Sequence, residues 1–171
     1  ANLVASLKLW ENASPYRDLV FEDAMRLRSA LRDTTEHRAY GWAALTCGRI
    51  AAHRQKVDLA DVMLIEALGR FSFLNDTYGE CMELSCLAIP QLFRGNLDRA
   101  LEFAMKPLAA DVVFSGLDKF ILHNVASQCY CAREESHPAM LHLMKAFDLV
   151  KNTDDFQRKS VVLGNIGLVL E

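Results

Sequence analysis

Long apolar runs are missing from this chain. No stretch approaches the roughly 18 apolar residues that a transmembrane helix needs. Glycine and proline are scarce, eight and four in 171 residues, which argues against disorder and against a turn-rich β protein. No P-loop, GxSxG, HExxH or GxGxxG pattern occurs, so those phosphate, nucleophile, zinc and dinucleotide chemistries have no sequence support. A positive excess is missing too. Residues 1–72 hold ten Lys/Arg against nine Asp/Glu, and residues 73–171 hold nine against thirteen, for a net charge of −3. Neither part is basic enough to suggest a nucleic-acid footprint. No signal-peptide pattern is seen. The first residue is Ala and the chain stops at Glu171 within an amphipathic pattern, so the expectation is a piece of a longer protein.

The cysteines, Cys47, Cys81, Cys86, Cys129 and Cys131, are odd in number and never CxxC-spaced. Their mostly apolar helical setting predicts buried free thiols in a reducing compartment, and hence a cytoplasmic protein. A metal or redox site is the competing reading. No metal and no cofactor is expected.

What is present is helical periodicity from end to end, with a repeat. Leu122-His123-Asn124-Val125-Ala126 is echoed at an offset of 41 by Leu163-Gly164-Asn165-Ile166-Gly167. Leu84-Ser85-Cys86-Leu87-Ala88 precedes the first at an offset of 38. The small residues Gly48, Ala88, Ala126 and Gly167 mark where paired helices should approach closely, and Ala60, Ala100 and Ala139 are their counterparts on the second helices. The pattern predicts helices over about 3–10, 16–32, 37–54, 57–73, 77–93, 97–110, 117–132 and 137–150, and from 154 on. Asp76 and Asp155 stand at helix starts, where negative charge is favoured. Asn96 and Ser136 are expected as caps, and Gly95 as a helix stop. Pro90 and Pro107 fall inside helices and should disturb them.

Leu84, Leu87, Ala88, Gly95, Asn96, Leu97, Ala100, Leu101, Ala104 and Leu108 follow the order of the tetratricopeptide repeat, which this chain resembles over about 37–171. Gly48 with Ala60 and Ala67, and Ala126 with Ala139 and Ala146, fit the same frame. The resemblance implies an all-α fold, an α-α superhelix (a TPR-like solenoid) of antiparallel helix pairs. The expected organisation is one array over 1–171: degenerate helices over 1–36, repeats over 37–76, 77–114 and 115–153, and the first helix of a fourth over 154–171. The period near 40 is similar to the long repeats of bacterial regulatory proteins, where such arrays precede a diguanylate cyclase or DNA-binding output domain. The implied role is a non-catalytic protein- or peptide-interaction and sensing module. Its partner would be a peptide, a protein segment or its own output domain, with no nucleic acid or membrane.

In this family the concave side is lined by the first helix of each pair. Carried over, the groove residues are Trp42, Thr46, Arg49, His53, Phe93, Phe120, His123, Asn124, Ser127 and Asn165, with Cys86, Ile89, Tyr130 and Leu168 beside them. Asn124 and Asn165 hold the same place in successive repeats, and an amide can grip a peptide backbone through both donor and acceptor. The competing reading has each Asn serving a neighbouring helix. Arg49 could meet a carboxylate or form a surface ion pair. Trp42 and Phe93 could anchor a ligand or pack between repeats. Val162, Ile166 and Val169 on the last helix are expected to form a homodimer interface, with the helix over 3–10 as the rival surface. Two other readings stand: a helical enzyme or small-molecule receptor with a pocket near Phe120, Tyr130 and His142, and a purely structural dimerisation array.

Overall fold

A computed structural model of the chain describes residues 17–54 and 56–170. Within them eight helices follow one another: α1 Arg17–Leu31, α2 His37–His53, α3 Val57–Phe73, α4 Thr77–Phe93, α5 Leu97–Ala109, α6 Gly116–Ala132, α7 Ser136–Val150 and α8 Phe156–Leu170. The fold is all-α, and no strand occurs among the described residues. The expected helix at 3–10 lies outside them. Helices α2, α4, α6 and α8 begin at His37, Thr77, Gly116 and Phe156, and α3, α5 and α7 at Val57, Leu97 and Ser136, a recurrence of 39 or 40 in both series. The 3.6-residue spacing of small and apolar side chains specifies these elements; α6 alone buries Phe120, Leu122, Val125, Ala126 and Cys129.

Three of the turns use one backbone device. Asn75, Gly95 and Glu134 take positive φ of 53°, 74° and 62°. Each donates its N–H three residues back, and the next residue donates five back: Asp76 to Phe71, Asn96 to Gln91 and Glu135 to Tyr130, each at 2.9 Å. This is the Schellman-type closure that satisfies the last carbonyls of a helix. The expected acidic starts hold. Asp76 Oδ1 accepts from the Gly79 N–H at 3.1 Å, and Asp155 Oδ1 from the Arg158 N–H at 3.0 Å. Two expected caps are corrected. Asn96 makes no side-chain cap and donates instead to Gln91 Oε1 at 3.0 Å. Ser136 is the first helical residue, with Glu135 at the cap position. The sequence reading missed Ser115, which accepts from the Asp118 N–H at 3.2 Å and donates to Asp118 Oδ2 at 2.6 Å. Pro90 and Pro107 are both buried. Helix α4 runs on past Pro90 to Phe93, whereas α5 stops two residues after Pro107.

The chain forms two compact units that divide inside α4, between Cys86 and Leu87. This boundary falls within the expected second repeat rather than between repeats. In the first unit, α2 and α3 form an antiparallel hairpin, with Tyr40–Glu66 and His37–Phe73 contacts towards its open end. A Cβ on Gly48 would sit 2.5 Å from Leu64 Cγ and 3.3 Å from the Ala60 carbonyl, so this crossing requires glycine. Phe71 is fully buried between Gly41 and Gly79, with the Trp42 ring edge-on at 5.2 Å. Burying such a side chain contributes about 1.5–3 kcal/mol.

Arg28 of α1 reaches Glu66 at 2.8 and 2.5 Å, and Tyr40 donates to the same oxygen at 2.8 Å. Burial opposes both charges, but their bonds outweigh it. Arg28 is held above its ordinary pKa and Glu66 below its own. In the second unit, Ala88, Ala100, Ala104, Leu122, Val125, Ala126 and Cys129 form one core, and Phe120, Leu143, Ala146, Val150 and Val162 another. Gly167 departs from its expected role: it is exposed, and nothing lies within 4 Å of its Cβ position.

Candidate functional site

The polar side chains of α6, α7 and α8 converge in the second unit. Helix α6 turns His123 towards α7 and Asn124 towards α8, as their adjacent helical positions require. His123 Nδ1 lies 3.0 Å from His142 Nδ1, and the two rings are 5.1 Å apart. Tyr130, two turns along α6, packs its ring 5.6 Å from His142. Asn165 of α8 donates through Nδ2 to Asn124 Oδ1 at 3.0 Å. Both amides are half-buried. Their mutual bond uses one group from each. The Asn124 amino group and the Asn165 carbonyl oxygen keep their remaining donor and acceptor capacity, which is the complement of a peptide group.

A bond between two Nδ1 atoms fixes the protons. One ring carries hydrogen on Nδ1 and donates; the other carries it on Nε2 and accepts. Burial, then the nearby His142, Lys145 and Lys119 charges, holds His123 down to about 4. Burial, then Lys145, lowers His142 as well.

The other expected groove residues divide. Phe93 is 67% exposed. Trp42 is half-buried between Phe71 and Tyr78, so it packs within its own unit. Thr46 is buried and donates to the Trp42 carbonyl at 2.8 Å, and Ser127 is buried and donates to the Asn124 carbonyl at 2.7 Å. Those hydroxyls serve their own helices. Arg49 is buried and engaged, not a solvent-facing cation. Phe120 is buried in the α6–α8 core. The side chain of His53 lies outside the description.

Phe120 does line a cavity of about 190 Å³, with Gly116, Leu117, Leu149, Val150, Thr153, Asp155 and Arg158. Asp155 and Arg158 pair with each other there. Tyr130 and His142 are not among the walls of this cavity. Of the three expected dimer residues, only Val162 is removed by burial; Ile166 and Val169 stay half-buried. Val162 is fully buried, and Ile166 and Val169 pack against the same core. The outward apolar residues of α8 are Val161, Leu163, Leu168 and Leu170.

Sequence reasoning missed Lys119, Lys145, the Arg28–Glu66–Tyr40 network and Glu83. Glu83 is 0% exposed and neither carboxylate oxygen has a hydrogen-bond partner; burial raises its pKa well above the ordinary value. No group of three or more metal-ligating side chains occurs among the described residues. All five cysteines are free, and only Cys131 is exposed. Burial pushes the Cys47 thiol up to about 11. No protein-family model, curated protein or solved structure matches the chain.

Proposed function

We propose that this chain is a tetratricopeptide-like repeat array that binds an extended protein or peptide segment and carries out no catalysis itself. The observation that carries the reading is the Asn124–Asn165 amide pair, with one donor and one acceptor left over, on helices that recur at an interval of 39 or 40. Such a pair holds backbone without reading side chains, which suits a module presenting one groove to varied segments. The recurrence near 40 fits the long repeats of bacterial signalling proteins. There the ligand would be a peptide, a partner segment or the protein's own output domain, and the setting cytoplasmic. Among the described residues, no helix is long and apolar enough to cross a membrane.

The test is a peptide display library selected on the wild-type chain and counter-screened on Asn124→Ala/Asn165→Ala. Binders should lose about 0.5–1.5 kcal/mol per backbone bond removed, while the helical signal and melting temperature stay close to wild type. Equal binding by the folded double variant would sink the reading. So would loss of fold in that variant, because the amides would then be structural.

A further inference from the structure

The histidine pair sits in an unbalanced electrostatic setting. The charges acting on His123 are His142, Lys145 and Lys119, and the one acting on His142 is Lys145. All are positive or can become so. Lys119 is a helical turn from His123 on α6, and Lys145 three residues from His142 on α7. Among the described residues neither lysine has an ion-pair partner. The adjoining helices do not correct the imbalance. Asp98 of α5 is paired with Arg133, Arg158 of α8 with Asp155, and α8 sends the neutral Asn165 towards α6. Tyr130 packs its ring against His142 at 5.6 Å, tilted by 30°.

A buried and a half-buried imidazole with two ammonium groups, whose neighbouring acids Asp118 and Asp148 are engaged by Ser115 and Lys151, complement an anion. The neutral Nδ1–Nδ1 bond lets the cluster stay folded while empty. It can take one proton without breaking, because an imidazolium still donates to a neutral ring. A second proton would set N–H against N–H. The empty site therefore resists charging, and an arriving carboxylate would remove that resistance.

The geometry points to His123, His142, Lys119 and Lys145 as a subsite for a ligand carboxylate, beside the Asn124–Asn165 amide pair, that takes up a proton when it fills. This rests on the groove reading above and adds the chemistry of the segment bound: backbone at the amides, an acidic side chain at the histidines. By linkage, affinity rises as pH falls from the liganded midpoint towards the unliganded one, which for His123 is about 4.

Three probes decide it: acetyl-tetraglutamate amide, acetyl-tetraglutamine amide, and free glutarate. The titration of the His123 and His142 ring protons is followed by NMR with each probe on the 171-residue chain. The glutamate peptide should move a histidine midpoint up by about 1 pH unit or more, as an opposite charge within a few ångströms does. The glutamine peptide should leave it in place. Glutarate giving the full shift alone supports the subsite with a free carboxylate as its source; a shift only with the peptide supports a side-chain source. Lys145→Ala, on an exposed side chain, should abolish most of the response without loss of fold, and Lys145→Arg should retain it. No histidine shift with the glutamate peptide overturns the proposal. A glutamine peptide whose binding depends on Asn124, but without a glutamate-specific shift, would leave the groove standing and the carboxylate subsite refuted.

Discussion

Glu83 shows at the scale of one side chain how a fold can carry a cost. Its carboxyl is fully buried without a partner, whereas its register equivalents Ala43, Ile121 and Val162 are apolar. An unsatisfied buried polar group costs about 1–3 kcal/mol. Glu83→Met should therefore stabilise the chain by a similar amount in chemical denaturation. The pH sign follows from burial raising its pKa. The native state keeps the proton, so the wild-type chain is relieved below the ordinary carboxylate value near 4.3 and loses stability as pH rises through the native value. The advantage of Glu83→Met should grow with pH, and a constant difference between pH 5 and 8 would count against a buried acid. The histidine pair has the opposite sign. Its native pKa values lie below the usual 6.5, so stability present above 6.5 is lost as pH falls towards 4.

Helix packing separates glycines that look alike in sequence. Gly48 and Gly79 each face a fixed side chain, Leu64 and Phe71, within 2.7 Å of where a Cβ would stand, while Gly69 in α3 is exposed with nothing within 4 Å. The same change to alanine should act in both directions. Gly48→Ala and Gly79→Ala should each cost about 1–3 kcal/mol by overpacking, and Gly69→Ala should gain about 0.5–1 kcal/mol by helix propensity. Equal thermal shifts at all three would refute these crossings. Most of the elements were legible in the sequence because each helix repeats its apolar positions at the helical period; the bounds of α3 and α4 coincide with those read from the pattern. The close approach at Gly48 was legible through its spacing to Ala60. The partners were not, because a pattern assigns a residue to a face but not to a neighbour. Thr46 and Ser127 were both carried over to the groove yet turn their hydroxyls onto their own helices. His123 and His142 are well separated along the chain, and only the α6–α7 hairpin brings their nitrogens together.

For the whole molecule, the last helix is the anomaly. Leu163 is 53% exposed, though its register equivalents Leu84 and Leu122 are 5% and 0%. Leu170 is exposed where Gln91 and Cys129 are buried. An apolar face of this kind seeks cover, and in a solution of the isolated chain a second copy is the simplest source. Light scattering should give a dimer that Leu168→Glu dissociates with the fold retained, whereas Val162→Glu should unfold the chain because Val162 is core. A monomer at high concentration would end the dimer expectation. The three left-handed turn residues carry a different consequence. Asn75, Gly95 and Glu134 bend the chain in the same way, closed by the same pair of backbone bonds, though only one of them is glycine. The flanking helices impose the bend rather than the residue within it. A search pattern keyed to glycine at these corners would find one of the three and pass over the others, so the chain's punctuation is written in its hydrogen bonds more plainly than in its letters.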